Sequence, residues 1–175
     1  MALHPETKSF LQYLQAKPTL RNQIGAAPDN AIFYAGKVNQ AAWREINEMK
    51  LTDEVLMRKQ TLHEVIGRLP APGTQHISLL AYAEHVASRV PESDRNILWR
   101  ALSGIYASNA IGAVSFYVGD GVSKAEKKVF AQTEVSVLER NPKVDDTTRD
   151  MIAYYKRCLL TGRTDMNLGL IRDTV

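Results

Sequence analysis

Cysteine is nearly absent: Cys158 is the one cysteine in 175 residues. No internal disulfide can form, and no cysteine-based zinc site can be built. Long apolar runs are missing too. Nothing approaches the roughly 18 consecutive apolar residues of a membrane-spanning helix, so no membrane span is expected. Met1-Ala2-Leu3-His4-Pro5 lacks a charged start followed by an apolar core, so no signal peptide is expected. The sequence has no GxGxxG, no GxxxxGK[ST] and no HExxH, which removes three common nucleotide and metal schemes. Lysine and arginine are scattered rather than clustered, and nucleic-acid binding finds no support.

What is present suits one soluble globular domain, residues 1–175, with enough chain for a substantial core. The formal charge of +3 suits an anionic ligand such as a dinucleotide, or serves solubility alone.

The first part, residues 1–91, reads helical. Pro5-Glu6-Thr7 opens a helix with proline in the first turn and an acid near the positive end of the dipole. Phe10, Leu11 and Leu14 form its apolar face, and Pro18 ends it. Ala31 to Gly36 is a short apolar segment stopped by glycine. A helix is expected from about Val38 to Met49. Thr61 with Glu64 has capping-box spacing, Pro70 to Gly73 breaks the chain, and a helix follows over about Ile77 to Ser88.

Residues 92–175 read as a helix plus a sheet. The helix from Pro91 to about Ala110 carries one stripe of Leu98, Ala101, Leu102 and Ile105 and a neighbouring stripe of Trp99, Ser103 and Tyr106. Ala113 to Val118 reads as a strand closed by Gly119-Asp120-Gly121. Gln132 to Leu138 alternates, which predicts a second strand with Gln132, Glu134 and Ser136 on its polar face. Asp145 to Leu160 fits a helix or, over Met151 to Tyr155, a strand; periodicity alone does not separate them. The tail after Thr161 reads as loosely held. The expected fold class is α/β of the α+β kind, a helical N-terminal half packed on a small C-terminal sheet flanked by helices.

Trp99 and Ser103 stand one helical turn apart. They are a core aromatic and a solvated hydroxyl, or an aromatic wall for a flat ligand with a hydroxyl at its polar edge. Glu134 is an exposed strand acid or the single carboxylate of a site. Glu64 and His63 are a cap and a solvated side chain, or part of that same site.

Four patches in order bear on this choice: Ile32-Phe33-Tyr34-Ala35-Gly36, Thr61-Leu62-His63-Glu64-Val65-Ile66-Gly67, Trp99 through Ala107 with Gly112 to Phe116, and Phe130 through Leu138. Together they resemble the ADP-ribosyl cyclase / NAD glycohydrolase family. Its F-[WY]-S, T-L-E-D, W-x-x-x-S-x-x-[FY]-[AS] and F-x-x-x-E segments occur in this order. Bacterial toxin domains of this kind, with F-Y-S-G and no disulfides, are similar too. Ala35 stands where a serine is usual, and His63 where the first acid of the acidic pair is usual.

The resemblance implies an ADP-ribosyl cyclase-like fold and an enzyme that releases nicotinamide from NAD, with NAD as substrate and neither cofactor nor metal. Glu134 would stabilise the ribosyl cation. Trp99 and Tyr34, in the segment with Ala35 and Gly36, would sandwich the nicotinamide. Ser103 would bond the ribosyl or phosphate region, the Phe130 amide the diphosphate, and Glu64 with His63 the nicotinamide amide. It further implies a bacterial effector toxin, secreted or delivered to act in the target-cell cytoplasm, with a cognate immunity protein as partner. The competing expectations are a non-catalytic helical interaction or immunity-type protein, and an ADP-ribosyltransferase.

Overall fold

A computed structural model describes residues 2–35, 58–118, 133–161 and 170–171. The expected helix from Val38 to Met49, the turn at Gly119-Asp120-Gly121, Gly36 and Phe130 lie outside the described residues.

Helix α1 spans Pro5–Ala16, with Pro5 in its first turn and His4 Nδ1 accepting the Glu6 N–H at 3.2 Å. Its buried face is Thr7, Phe10 and Leu14, the spacing of one helical stripe. Pro18 ends this helix and also opens the next, α2 (Pro18–Gln23), where its missing N–H costs nothing in a first turn. Strand β1 (Ala31–Ala35) follows.

Among the described residues, three helices come before the next strand. In α3 (Leu62–Ile66) the Thr61 hydroxyl accepts the Glu64 N–H at 3.2 Å, as the capping-box spacing predicts. In α4 (Leu79–Arg89) Ser78 caps in the same way through the Ala81 N–H at 3.0 Å. Helix α5 (Glu92–Ser108) is the hub and packs against α1, α3 and α4. Leu98 and Leu102 of its apolar stripe are fully buried, as is Tyr106 of the neighbouring stripe.

Strand β2 (Val114–Val118) runs parallel to β1, register Ala31 with Val114 through Ala35 with Val118. Its entry is fixed by a close approach. The Asp29 carboxylate accepts the Ala113 N–H at 2.7 Å, and Gly112 has φ +76°, where a Cβ would lie 2.1 Å from that carboxylate oxygen. Helix α6 (Val135–Arg140) packs on α5, and α7 (Asp146–Thr161) packs on α6. The Thr148 hydroxyl of α7 accepts the Val114 N–H at 3.0 Å, so α7 is tied to the start of β2. Strand β3 (Leu170–Ile171) pairs antiparallel with β2, giving the order β1-β2-β3.

The class is α+β: helices around a small sheet. Three expectations need correction. The sheet does not belong to residues 92–175 alone, because β1 from the first part is its parallel edge. The expected strand from Gln132 to Leu138 is helical from Thr133 onward, entering α6 through a wide turn at Thr133 and Glu134. Alternating valines suggested a strand, but Val135 and Leu138, three apart, are the pair buried against the core, and burial overrides local β propensity. In the tail, expected to be loosely held, Leu170 and Ile171 add a strand to the sheet, and the other residues after Thr161 lie outside the described residues. The ambiguous run from Asp145 resolves as helix, and the Asp145 carboxylate caps it by accepting the Thr148 N–H at 2.9 Å. No helix among the described residues is long and apolar enough to cross a membrane.

Candidate active site

The site is built on α5. Trp99 and Ser103 share one face; Trp99 is half-buried and Ser103 is 5 % exposed. The next residue, Gly104, faces α6: a Cβ there would lie 3.4 Å from Thr133 Cγ2, an ordinary van der Waals contact. The packing of α6 on α5 sets Glu134 beside Ser103.

Glu134 is 8 % exposed and hydrogen-bonded to the Ser103 hydroxyl. Burial pushes its carboxyl up to about 8, and the Ser103 hydrogen bond pulls the other way. The acid is therefore neither a solvated surface group nor on a strand. Ser103 is likewise no solvated hydroxyl.

His63 reaches the site from α3. Its ring stacks on the Trp99 indole, centroids 5.3 Å apart and planes at 19°. Leu62, Val65 and Ile66 of the same short helix are buried, so its position is held by the core. Burial lowers the His63 pKa below its ordinary value, opposed by the charge of Glu84 on α4. The Glu64 backbone forms the cap with Thr61, so the structural role is real whatever its carboxylate does.

Tyr34 and Ala35 lie at the carboxyl end of β1, opposite Tyr117 and Val118 of β2. Phe33, just before them, packs on Tyr106 of α5 with centroids 5.0 Å apart. The carboxyl ends of parallel strands are where open α/β sheets place ligands. The described residues thus pair Glu134 with Ser103 and His63 with Trp99, and α5 carries Ser103 and Trp99 one turn apart. Tyr34 and Ala35 are placed by register only, and Gly36 and Phe130 fall outside the described residues.

Two residues matter here without having been assigned a role from sequence. Tyr106, one turn beyond Ser103, donates its hydroxyl to the Gln60 carbonyl; Gln60 flanks β1 at Ala31, so this bond ties the site helix to the sheet edge. Its spacing from Ser103 was the available signal. Asn141 donates through Nδ2 to the carbonyls of Ala107 and Ala110, each at 2.9 Å, closing the end of α5. Nothing local marks such a distant cap.

Two shallow clefts among the described residues lie elsewhere. One, lined by Leu11, Leu14, Ala101 and Ile105, is on the side of α5 opposite Ser103; the other lies between α1 and α4. Among the described residues no group of three His, Cys, Asp or Glu side chains is placed to hold a metal ion. Compared with protein-family models, curated protein sequences and solved structures, the chain matches none.

Proposed function

We propose that this chain is an NAD-cleaving enzyme, an NAD glycohydrolase or ADP-ribosyl cyclase with a cyclase-like α+β fold. The observation that carries the reading is the buried Glu134 carboxyl, hydrogen-bonded to Ser103 one turn from the aromatic face of Trp99. A titratable group strongly displaced by burial, beside a hydroxyl and a flat aromatic, is what a reacting site requires and a solvated surface does not.

The chemistry suits a single carboxylate. The nicotinamide of NAD is already a cationic leaving group, so no proton donor is needed. The bond from ribose C1′ to the ring nitrogen breaks, its electron pair leaves with neutral nicotinamide, and an oxocarbenium-like ribosyl centre forms. Glu134, ionised, stabilises that charge where water is largely excluded. Water then attacks C1′ and loses a proton, giving ADP-ribose; attack by the adenine ring gives the cyclic product. The raised pKa of Glu134 belongs to the free protein. A pyridinium cation beside it favours the carboxylate, so substrate binding near neutral pH releases a proton. Trp99 and Tyr34 stack on the nicotinamide, Ser103 orients Glu134 and meets the ribose, and the Phe130 amide meets the diphosphate. Glu64 is assigned to the nicotinamide amide.

The reading extends to a bacterial effector toxin that is secreted or delivered, depletes NAD in the target-cell cytoplasm, and is matched by an immunity protein. Its support is the resemblance to toxin domains and the cysteine-poor chain. The test is incubation of the purified chain with NAD, following free nicotinamide and ADP-ribose. Release of both is expected. A folded chain with no turnover overturns the enzyme reading and leaves the interaction-protein alternative. Nicotinamide release with ADP-ribose found only on protein makes it a transferase.

A further inference from the structure

Stacking on Trp99 is already half used. The His63 ring lies on the indole at 5.3 Å and 19°, near-parallel. His63 is not a movable cover, because its helix is held by the buried Leu62, Val65 and Ile66 and capped by Thr61. Its ring also departs from the acid usual at this position in the family it resembles. Burial favours the neutral imidazole, and a neutral ring leaves the indole's attraction for a cation intact, whereas an acid there could not stack.

We propose that His63 is a positioning residue: its imidazole occupies one face of Trp99 and holds the indole so that the opposite face alone receives a flat cationic ring. His63 then acts through Trp99 rather than on the nicotinamide amide. The proposal rests on the NAD-cleaving reading only for which ring is bound.

The probe is N1-methylnicotinamide, a flat pyridinium with no glycosidic bond, so binding is read without turnover. In a Trp43→Phe background, Trp99 is the remaining tryptophan and its fluorescence quenching reports the contact. His63→Phe, which keeps a flat ring, is expected to bind within about twofold of the parent. His63→Ala and the space-filling His63→Leu are expected to bind roughly fivefold more weakly, the size of one lost stacking contact. The KM for NAD rises by the same factor while kcat stays within about twofold. Leu as good as Phe, Ala equal to the parent, or no saturable quenching in the parent each overturns the proposal. If the parent and variants rank as expected yet NAD is not cleaved, the stacking role stands and the enzyme reading falls. If NAD is cleaved equally by all variants, the reverse holds.

Discussion

Two carboxylates expose similarly little surface, Asp94 at 6 % and Glu134 at 8 %, but Asp94 lies near the surface and Glu134 deep among protein atoms, and their environments push them in opposite directions. Asp94 sits in the first turn of α5, where the helix dipole favours an anion. The Thr7 hydroxyl lies beside it, short of full hydrogen-bond geometry, and the His4 backbone N–H donates to it at 2.8 Å. Thr7 first and His4 second hold its pKa below the ordinary carboxylate value. Glu134 has the Ser103 hydroxyl but burial dominates, and its pKa rises to about 8. Exposure alone therefore says little about an acid. Asp94 joins the chain's first residues to the hub helix. Glu134 is held in a state that charging would disturb.

The sharpest break between the two is removal of charge. Glu134→Gln should lower NAD turnover by on the order of 10²–10³-fold, the range for loss of a charge-stabilising group. The same variant should melt at an equal or higher temperature at pH 9, because it no longer buries an ionised carboxylate. A variant with wild-type turnover would remove Glu134 from the chemistry. Asp94→Asn should leave turnover within a few-fold and lower the melting temperature at neutral pH.

A second test uses pH. For Glu134 the folded pKa, about 8, lies above the ordinary 4.5, so the folded state holds the proton more tightly. The associated stability is fully present below pH 4.5, declines as pH rises from there to 8, and is flat beyond. The shift corresponds to at most about 5 kcal/mol. Chemical denaturation from pH 4.5 to 9 should show this decline in the parent and a flatter profile in Glu134→Gln. Over the same range, the proposed role of ionised Glu134 predicts a kcat/KM for NAD that rises and levels off above about pH 8. A kcat/KM that falls from pH 6 to 9 would count against the carboxylate role.

Ser103→Ala probes the link between the two helices. The hydroxyl lowers the Glu134 pKa, so its loss should move the kcat/KM midpoint upward and lower activity at pH 7.5 by roughly tenfold, about one hydrogen bond to a charged group. A lowered kcat with an unmoved midpoint would mean that Ser103 meets substrate without touching the acid.

Much of this frame was legible in the chain. The Thr61 cap, α1, α4, α5 and β2 follow from local signals: a capping hydroxyl, a proline in a first turn, an apolar stripe. Trp99 and Ser103 share a face because helical spacing requires it. Glu134 was the hard case. Its segment has the alternation of a strand, and only the docking of Val135 and Leu138 against the core makes it helical, a tertiary fact with no local sign. Burial of the acid was equally hidden, because it depends on how α6 docks on α5. The parallel pairing of β1 with β2 joins residues some eighty positions apart, and nothing in either strand names its partner.

The smallest expected effect is the acid limb of Asp94. Its folded pKa lies below the ordinary 3.8, so its stabilisation is present above that value and is lost as pH falls through the folded pKa. Thermal melts from pH 5 to pH 2 should show the parent losing stability faster than Asp94→Asn, which has no such proton to take up. Thr7→Val should move the parent toward the variant, because Thr7 is the largest source of the shift. With Glu134 declining above pH 4.5 and Asp94 declining below about 4, these two groups alone would set the stability maximum near pH 4 to 5. Other titrating groups shift that maximum, but Glu134→Gln should move it upward and Asp94→Asn downward. If both variants moved it the same way, the two carboxylates would not be the opposed pair that their surroundings make them.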